Sequence, residues 1–403
     1  MTSDSLNPLS PLSLHMANTM ALWSSAPLAA MHLMIGSLPV HPKLTALFDE
    51  LKSTLDPKDM VAFQLSTALQ SRERTEAFLK GVEAYQSYSY ERQKAERTLF
   101  FQKGAMQVYD YGGQGDPIVL VPSLINPAYI LDLMPGRSLV EYLTSREHRI
   151  LLVDWGCPSD LEKSFCVDDY ITELLVPLVE EFKEGCHILG YCMGGTLATG
   201  LTVLKAEKIK SLSLLAAPWD FHAEQDHPAF LQAQKLSAVI QKMPQTDFLD
   251  FTILQTYFAS LDPTLSDKKF RDFAETTPGS FEAEFFVAME IWANSGAPLT
   301  MPVAEQAMVQ WYKHNFTGKG TWQIDGQVIA PHTIKCPVFA VCPERDRLVP
   351  PESALSLAQA IPEAILHNPK AGHVGMVVGS KAEKNLFAPL HRWYQALGNS
   401  YET

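Results

Sequence analysis

The chain has 403 residues, of which 46% are hydrophobic and 19% are charged. This length exceeds the size at which a single hydrophobic core stops growing, and the apolar content excludes general disorder, so we expect a globular protein with one large core and appended parts. With 32 Lys and Arg against 45 Asp and Glu, the formal charge is -13. This charge opposes binding to a phosphate backbone, and we expect no nucleic-acid partner.

The first 100 residues are predicted to form a helical N-terminal region. Their apolar segment "MALWSSAPLAAMHLMIGSLPV" is preceded by no basic residue, because the first Lys or Arg is Lys43. It is interrupted by Ser24, Ser25, Pro27, His32, Ser37 and Pro39. We therefore expect a packed or peripheral helix rather than a signal peptide or a transmembrane segment, with adsorption to an apolar surface as the alternative. Helical spacing continues in "PKLTALFDELKSTL" and "RTEAFLKGVEAYQSY".

Strands and helices alternate over residues 101–221, which predicts an α/β class with a mostly parallel sheet. The strand-like runs are "PIVLVPS", "RILLVDWG", "CHILGY" and "SLSLLAAP". Residues 222–330 instead contain helical, aromatic-rich segments such as "FLDFTILQTYFASL", and they are predicted to form a cap inserted into the sheet domain. The alternating pattern resumes at "CPVFAVCPERDRLVPP", so residues 331–403 are expected to complete the sheet domain.

The sequence "ILGYCMGGTL" has the pattern of a nucleophile elbow, the sharp turn between a strand and a helix that exposes a nucleophile. Cys192 stands at the nucleophile position between Gly190 and Gly194, and Gly195 follows. A thiol at this position benefits from the helix N-terminus, which favours the negative charge of a thiolate. Cys192 is the predicted nucleophile.

A histidine base and an acid are expected to follow the nucleophile in chain order. "PERDRLVPP" places Asp346 just after a predicted strand, and "KAGHVG" places His373 in a Gly-flanked loop. Each residue has a plainer interpretation, as a small buried side chain, a turn residue or a surface histidine. Their order and their positions after strands together predict a Cys-His-Asp triad.

The oxyanion hole is expected to use the backbone N–H of the residue after the nucleophile and a second N–H from the loop after an early strand. This nominates Met193, with Leu124 or Ile125. A thiol exchanges readily with a thioester and conserves the activated acyl bond, so acyl transfer is favoured over simple hydrolysis.

The six cysteines form no C-x-x-C pair or zinc pattern, and the remaining histidines lack metal-ligand spacing. We therefore expect no metal and a reduced, cytoplasmic setting.

Five stretches together resemble the polyhydroxyalkanoate synthases, most closely the shorter, partner-requiring ones. They are "NPAYILDLMPGRSLVEYL", "LLVDWGCPSD" with "VDDYI", "ILGYCMGGTLA", "DRLVPP" and "GHVGMVVGSKAEK". The likeness runs from about residue 115 to the C-terminus. It implies an enzyme with an α/β-hydrolase fold that polymerises (R)-3-hydroxyacyl-CoA into polyester and releases CoA. By this resemblance, Cys192 would hold the growing chain as a thioester, His373 would be its base, and Asp346 would help to activate the substrate 3-hydroxyl.

The same resemblance implies that CoA is a leaving group rather than a cofactor, and that no other cofactor is needed. It implies a helical partner subunit or a homodimer, and a location in the cytoplasm at the surface of polyester granules. Arg137, Arg345 and Arg347 are candidates to face the anionic coenzyme. Arg347 stands where the family usually has histidine, and Ala371 where it commonly has glycine.

Two other functions use the same sequence features. An intracellular polyhydroxyalkanoate depolymerase or a thioesterase would deliver the acyl group from the same triad to water. A granule-surface protein would bind polymer through the apolar N-terminal segment without turnover, and the complete triad argues against it.

Overall fold

The computed structural model describes residues 11–40, 42–54, 56–244, 246–262 and 264–400. These residues form two compact units. One contains the chain up to Tyr90 together with Asp262–Val287, and the other contains Glu91–Leu261 and the chain from Ala288 onward. Residues 1–10 of the predicted N-terminal region lie outside the described residues.

The described residues contain α-helices along the whole chain. They are α1 (Pro11–Met34), α2 (Thr45–Thr54), α3 (Met60–Ser87), α4 (Leu139–Thr144), α5 (Val167–Asp169), α6 (Val176–Glu180), α7 (Met193–Leu204), α8 (Pro228–Ile240), α9 (Phe251–Leu261), α10 (Leu265–Ala274), α11 (Phe281–Ala293), α12 (Met301–Glu305), α13 (Pro351–Ala360), α14 (Gly375–Val378) and α15 (Ala388–Ser400). The described part of the chain also contains three π-helical segments, Tyr170–Leu175, Gln306–Lys313 and Glu383–Phe387. Short 3₁₀ turns are Pro42–Leu44, Pro57–Asp59, Ala128–Leu131 and Pro331–Thr333. Within the described residues, no helix combines the length and the apolar character that crossing a membrane requires.

The smaller unit is a helical bundle in which α10 packs on α3. Phe78 of α3 and Phe270 of α10 are fully buried, and their rings meet edge to face at a centroid distance of 5.7 Å. The carboxylate of Asp267 on α10 accepts hydrogen bonds from the Trp23 indole of α1 and from Arg271. These contacts explain why Asp262–Val287, predicted as part of the cap, groups with the N-terminal helices instead.

The larger unit is built on one eight-stranded sheet. Its strands are β1 (Thr98–Lys103), β2 (Met106–Asp110), β3 (Gln114–Val121), β4 (His148–Asp154), β5 (Cys186–Tyr191), β6 (Ile209–Leu215), β7 (Val338–Val341) and β8 (Ile365–His367), and their spatial order is β1-β2-β4-β3-β5-β6-β7-β8. β2 is antiparallel to both β1 and β4, and the strands from β4 to β8 are parallel. The carboxyl ends of β3, β5, β7 and β8 therefore meet at one edge of the sheet, where ligands bind in open α/β folds.

Three two-stranded ribbons complete the larger unit. They pair Asp132–Met134 with Arg137–Ser138, Phe248–Leu249 with Leu299–Thr300, and Gln323–Ile324 with Gln327–Val328. β5 is buried along its whole length, as expected for a central parallel strand.

The chain between β6 and β7 is mainly helical, and the part of it in the larger unit is called the cap segment here. The cap segment of this unit contains α8, α9, α12 and the π-helical segment Gln306–Lys313. A partly buried hydrogen-bond network holds that segment. Gln306 donates to Asp168 at 2.7 Å and accepts from the Val167 N–H at 2.8 Å, while the Trp322 indole donates to the same Asp168 oxygen at 2.9 Å.

Candidate active site

Cys192 lies at the sharp turn between β5 and α7. Its backbone has φ 56° and ψ -129°, a left-handed conformation that is strained for a side chain with a Cβ atom. The turn is held in place by two backbone hydrogen bonds. The Cys192 N–H donates to the Leu215 carbonyl at 2.9 Å, and the Gly195 N–H donates to the Cys192 carbonyl at 2.8 Å. This is the geometry of a nucleophile elbow.

The three elbow glycines are needed because backbone crosses backbone here. A Cβ atom on Gly190 would lie 2.4 Å from the Cα of Gly195. On Gly194 it would lie 2.0 Å from the Val121 carbonyl oxygen, and on Gly195 it would lie 2.3 Å from the Ala217 Cβ. The glycines therefore let β5 and α7 approach each other closely. They also let α7 approach the end of β3 and the chain that follows β6.

His373 and Asp346, which are far apart in sequence, form a buried pair. His373 Nδ1 lies 2.7 Å from Asp346 Oδ2, and the two residues are 6% and 3% exposed. The other carboxylate oxygen of Asp346 accepts the backbone N–H groups of Leu348 at 2.8 Å and Val349 at 2.9 Å. Both oxygens are thus occupied, and the carboxylate orients the imidazole.

His373 and Cys192 line the same cavity, and because Nδ1 is bound to Asp346, Nε2 is the ring nitrogen left for the thiol. Burial alone lowers the pKa of His373, but the Asp346 carboxylate and the nearby Cys192 raise this pKa well above its usual value. Tyr191 stacks on the ring with a centroid distance of 5.1 Å. The structure therefore places the three predicted triad residues together, and the raised pKa of His373 favours its protonated form.

A cavity of about 110 Å³ opens in front of Cys192 and His373. Its wall is mainly apolar and includes Ile125, Leu254, Phe258, Leu299, Met308 and Val349. Among the described residues, no Lys, Arg, Asp or Glu lines it. Since a charged group would be left without a partner here, the cavity suits a neutral, largely apolar group.

Two of the three predicted oxyanion-hole residues line this cavity. Met193 is the first residue of α7, where backbone N–H groups have no partner inside the helix. Ile125 also lines the cavity, but its N–H donates to the Ser123 hydroxyl at 3.3 Å. Leu124 is a buried core residue whose side chain lines a neighbouring groove. The oxyanion hole, and the choice between Leu124 and Ile125 within it, stays a prediction.

The loop that carries Leu124 and Ile125 is anchored at three points. The Trp155 indole donates to the Pro122 carbonyl at 3.0 Å, and the Trp292 indole donates to the Pro127 carbonyl at 2.9 Å. The Asn126 amide donates to the Ala293 carbonyl at 3.4 Å. The loop is therefore fixed before any substrate binds.

None of the three arginines considered from the sequence lines the cavity. Arg345 and Arg347 are exposed, and Arg137 donates to the Gly379 carbonyl at 3.2 Å. Their contact with a coenzyme stays a prediction, as does the expected absence of a metal or cofactor.

Sequence reasoning missed several cavity residues, among them Tyr257 on α9 and Tyr312 on the π-helical segment. Met308, Trp311 and Tyr312 have the i, i+3, i+4 spacing of one helical face, which indicates burial but not proximity to Cys192. Only the packing of the cap segment shows that this face lies at the active site.

The sheet order and the turn at Cys192 indicate the family to which the protein belongs. Residues 118–384 match the Alpha/beta hydrolase family, and the chain belongs to this family. The expected α/β-hydrolase fold, with its mostly parallel sheet, is confirmed.

Relatives with similar sequences include subunits of polyester polymerases. A "Poly(3-hydroxyalkanoate) polymerase subunit PhaC" from Haloarcula marismortui is 31% identical over 324 residues, covering 76% of this chain and 66% of that protein. The subunit of the same name from Haloferax mediterranei is 28% identical over 313 residues, covering 74% of this chain and 61% of that protein. The chain thus spans slightly under two thirds of the length of these relatives. The resemblance to the polyhydroxyalkanoate synthases is confirmed.

Among solved structures, Rv0554 from Mycobacterium tuberculosis matches with a TM-score of 0.50 at 16% identity, covering 72% of this chain and 93% of that one. At this identity the match reflects the fold alone.

Proposed function

We propose that this protein is a polyhydroxyalkanoate synthase-like acyltransferase that uses a Cys-His-Asp triad. The observation that carries the proposal is that Cys192, on a strained elbow, lines one mainly apolar cavity with His373, which is bound to the buried Asp346. The names of the curated relatives support polyester formation as the outcome.

In the first step, His373 takes the proton of Cys192, and the sulfur attacks the thioester carbonyl of a (R)-3-hydroxyacyl-CoA. A new carbon–sulfur bond forms to Cys192, and the carbon–sulfur bond to CoA breaks. CoA leaves as a thiol with the proton that His373 held. The backbone N–H of Met193 and a second N–H from the loop after β3 would stabilise the oxyanion.

In the second step, the 3-hydroxyl oxygen of another hydroxyacyl unit attacks the thioester carbonyl on Cys192. His373 receives the hydroxyl proton, the ester carbon–oxygen bond forms, and the Cys192 carbon–sulfur bond breaks. Because both Asp346 oxygens are already hydrogen-bonded, the geometry supports Asp346 as the residue that orients His373 in both steps.

The proposal treats CoA as a leaving group and needs no resident cofactor. The neutral cavity would receive the acyl part, while the charged nucleotide part of CoA would remain outside it. A helical partner subunit or a second copy of the chain, and a location at the surface of a polyester granule in the cytoplasm, belong to the same proposal.

The test is the fate of the acyl group. The purified protein receives (R)-3-hydroxybutyryl-CoA, alone and with a small helical partner subunit, and the released CoA, free acid and insoluble polyester are quantified. We expect CoA release with polyester as the main product and little free 3-hydroxybutyrate. Cys192→Ala is the control that should release no CoA. If released CoA is matched by free acid, or if preformed polyester is degraded, a thioesterase or depolymerase replaces the synthase.

A further inference from the structure

Tyr191, the residue before the nucleophile, contacts the histidine of the triad in two ways. Its ring stacks on the imidazole of His373, with centroids 5.1 Å apart and an angle of 29° between the two planes. Its hydroxyl lies 3.4 Å from the backbone carbonyl oxygen of His373 and donates to it, since a carbonyl can only accept. Tyr191 and His373 are 3% and 6% exposed, so both contacts are buried.

These contacts connect the elbow to the loop that carries the base. Tyr191 is the last residue of β5, and Cys192 follows it directly. The same short piece of backbone therefore carries the sulfur and the ring that packs on the imidazole. Asp346 holds the imidazole by its edge, through Nδ1 at 2.7 Å, while Tyr191 covers one of its faces. The two contacts together restrict both the tilt and the rotation of the imidazole.

The face of the Tyr191 ring also favours a positive charge on the imidazole. The face of an aromatic ring carries negative charge density, and it attracts a cation within about 6 Å of the ring centroid, most strongly where water is excluded. His373 becomes such a cation when it takes a proton. Burial by itself lowers the pKa of His373, while Asp346 and Cys192 raise it well above its usual value. The Tyr191 face acts in the same direction as these two residues.

The other groups around the cavity bring no competing charge to His373. Besides His373, the described part of the chain supplies to the cavity the titratable residues Tyr191, Cys192, Tyr257 and Tyr312. Burial raises the pKa of all three phenols, so they stay neutral near pH 7. Arg345 and Arg347, on either side of Asp346 in sequence, are exposed.

We propose that Tyr191 is a positioning residue for the acyl transfer: its ring holds the imidazole of His373 in place and stabilises the imidazolium that forms when His373 takes the proton of Cys192. In that step the S–H bond of Cys192 breaks and an N–H bond forms at Nε2, and the proton later leaves with CoA. The inference rests on the proposed function for the role of His373 as the base. It adds a residue that acts through His373 rather than on the substrate.

The test follows the titration of His373 in a protein that cannot turn over. In Cys192→Ala, the pH midpoint of the His373 ring signal is measured by NMR, and the signal is assigned by its loss when His373→Gln is added. We expect Tyr191→Leu in this background to lower the midpoint by about one pH unit, because the cation loses the ring face. Tyr191→Phe keeps the face and should keep the midpoint.

Tyr257→Leu is the matched control in the same background. It removes another buried tyrosine from the same cavity, one whose ring packs on Phe258 at a centroid distance of 5.2 Å. This change enlarges the cavity much as Tyr191→Leu does, and the midpoint of His373 should not move. If Tyr191→Leu does not fold by circular dichroism, a fluorinated phenylalanine at residue 191 keeps the ring shape without the negative face and should lower the midpoint instead. A midpoint that stays or rises without the negative face, or that falls equally in Tyr257→Leu, shows that the inference is wrong.

A rate measurement then connects the titration to the reaction. With Cys192 intact, adduct formation from (R)-3-hydroxybutyryl-CoA is followed by rapid quench and intact-mass spectrometry. We expect Tyr191→Leu to acylate about tenfold more slowly than the parent near pH 7, and Tyr191→Phe to recover most of that loss. Equal rates in Tyr191→Leu and the parent would overturn the inference. If the parent forms no adduct, the synthase proposal fails, and the NMR midpoints alone decide the role of Tyr191.

Discussion

Gly194→Ala tests how tightly the elbow is packed against β3. The added Cβ atom would lie 2.0 Å from the Val121 carbonyl oxygen and 2.6 Å from the Pro122 carbonyl oxygen. Ordinary contact begins at 3.4 Å, so the shorter of these distances falls short by 1.4 Å. Both neighbours are backbone atoms, which cannot rotate away as a side chain could. The elbow and the end of β3 must therefore separate by more than an ångström.

This separation has two consequences. Overpacking of this kind costs about 1–3 kcal/mol of stability. It also displaces Cys192 and Met193 from the loop that begins at Pro122 and carries the second predicted oxyanion donor. A misplacement of about 1 Å costs on the order of 100-fold in rate. We expect kcat for CoA release to fall by about 100-fold while the protein still folds.

The assay is CoA release from (R)-3-hydroxybutyryl-CoA, with circular dichroism and urea unfolding on the same preparations. Gly398→Ala is the matched control, because Gly398 lies in α15 and an added Cβ atom would meet nothing within 4 Å. This control should keep the parent activity and gain a few tenths of a kcal/mol or more in stability. If Gly194→Ala keeps its rate within threefold of the parent, the packing argument is refuted.

Three further predictions follow from the site and from one buried histidine. Cys192→Ser should fold normally but release CoA at least about 100-fold more slowly, because a hydroxyl is a weaker nucleophile than a thiolate; equal rates would contradict the covalent thioester. Asp346→Asn must turn its amide oxygen to the two backbone N–H groups and its NH₂ to His373, which puts the ring hydrogen on the wrong nitrogen. Acylation and elongation, measured separately by mass spectrometry, should both fall about 10³–10⁴-fold, and accumulation of a single-unit adduct would show that Asp346 acts only in elongation. Burial lowers the pKa of His187 to about 4 from 6.5, so the unfolded chain takes up the proton first as pH falls and the folded state loses stability between about pH 6.5 and pH 4. Between pH 7.5 and pH 5, the free energy of unfolding measured with urea should change by about 2 kcal/mol less in His187→Asn than in the parent. An equal change in both proteins would argue against a neutral His187.

The local pattern of the chain was sufficient to predict the mostly parallel sheet and the sharp strand-to-helix turn at Cys192. "CHILGY" is the strand Cys186–Tyr191, and the helix begins at Met193 as expected. These features depend on short-range physics, since a buried parallel strand needs a continuous apolar run and the elbow needs small residues within a few positions of Cys192. The order of Asp346 and His373, each after a predicted strand, is likewise visible in the sequence.

Only the tertiary structure decided which distant residues meet. The 2.7 Å contact between His373 and Asp346 depends on the adjacent ends of β7 and β8, and Tyr312 reaches the cavity through the packing of the cap segment. Phe270 lies in the segment that the sequence assigns to the cap, yet it packs against Phe78 within the smaller unit. Periodicity shows that a side chain is buried but not which surface buries it, because the partner surface is made by residues far away in sequence.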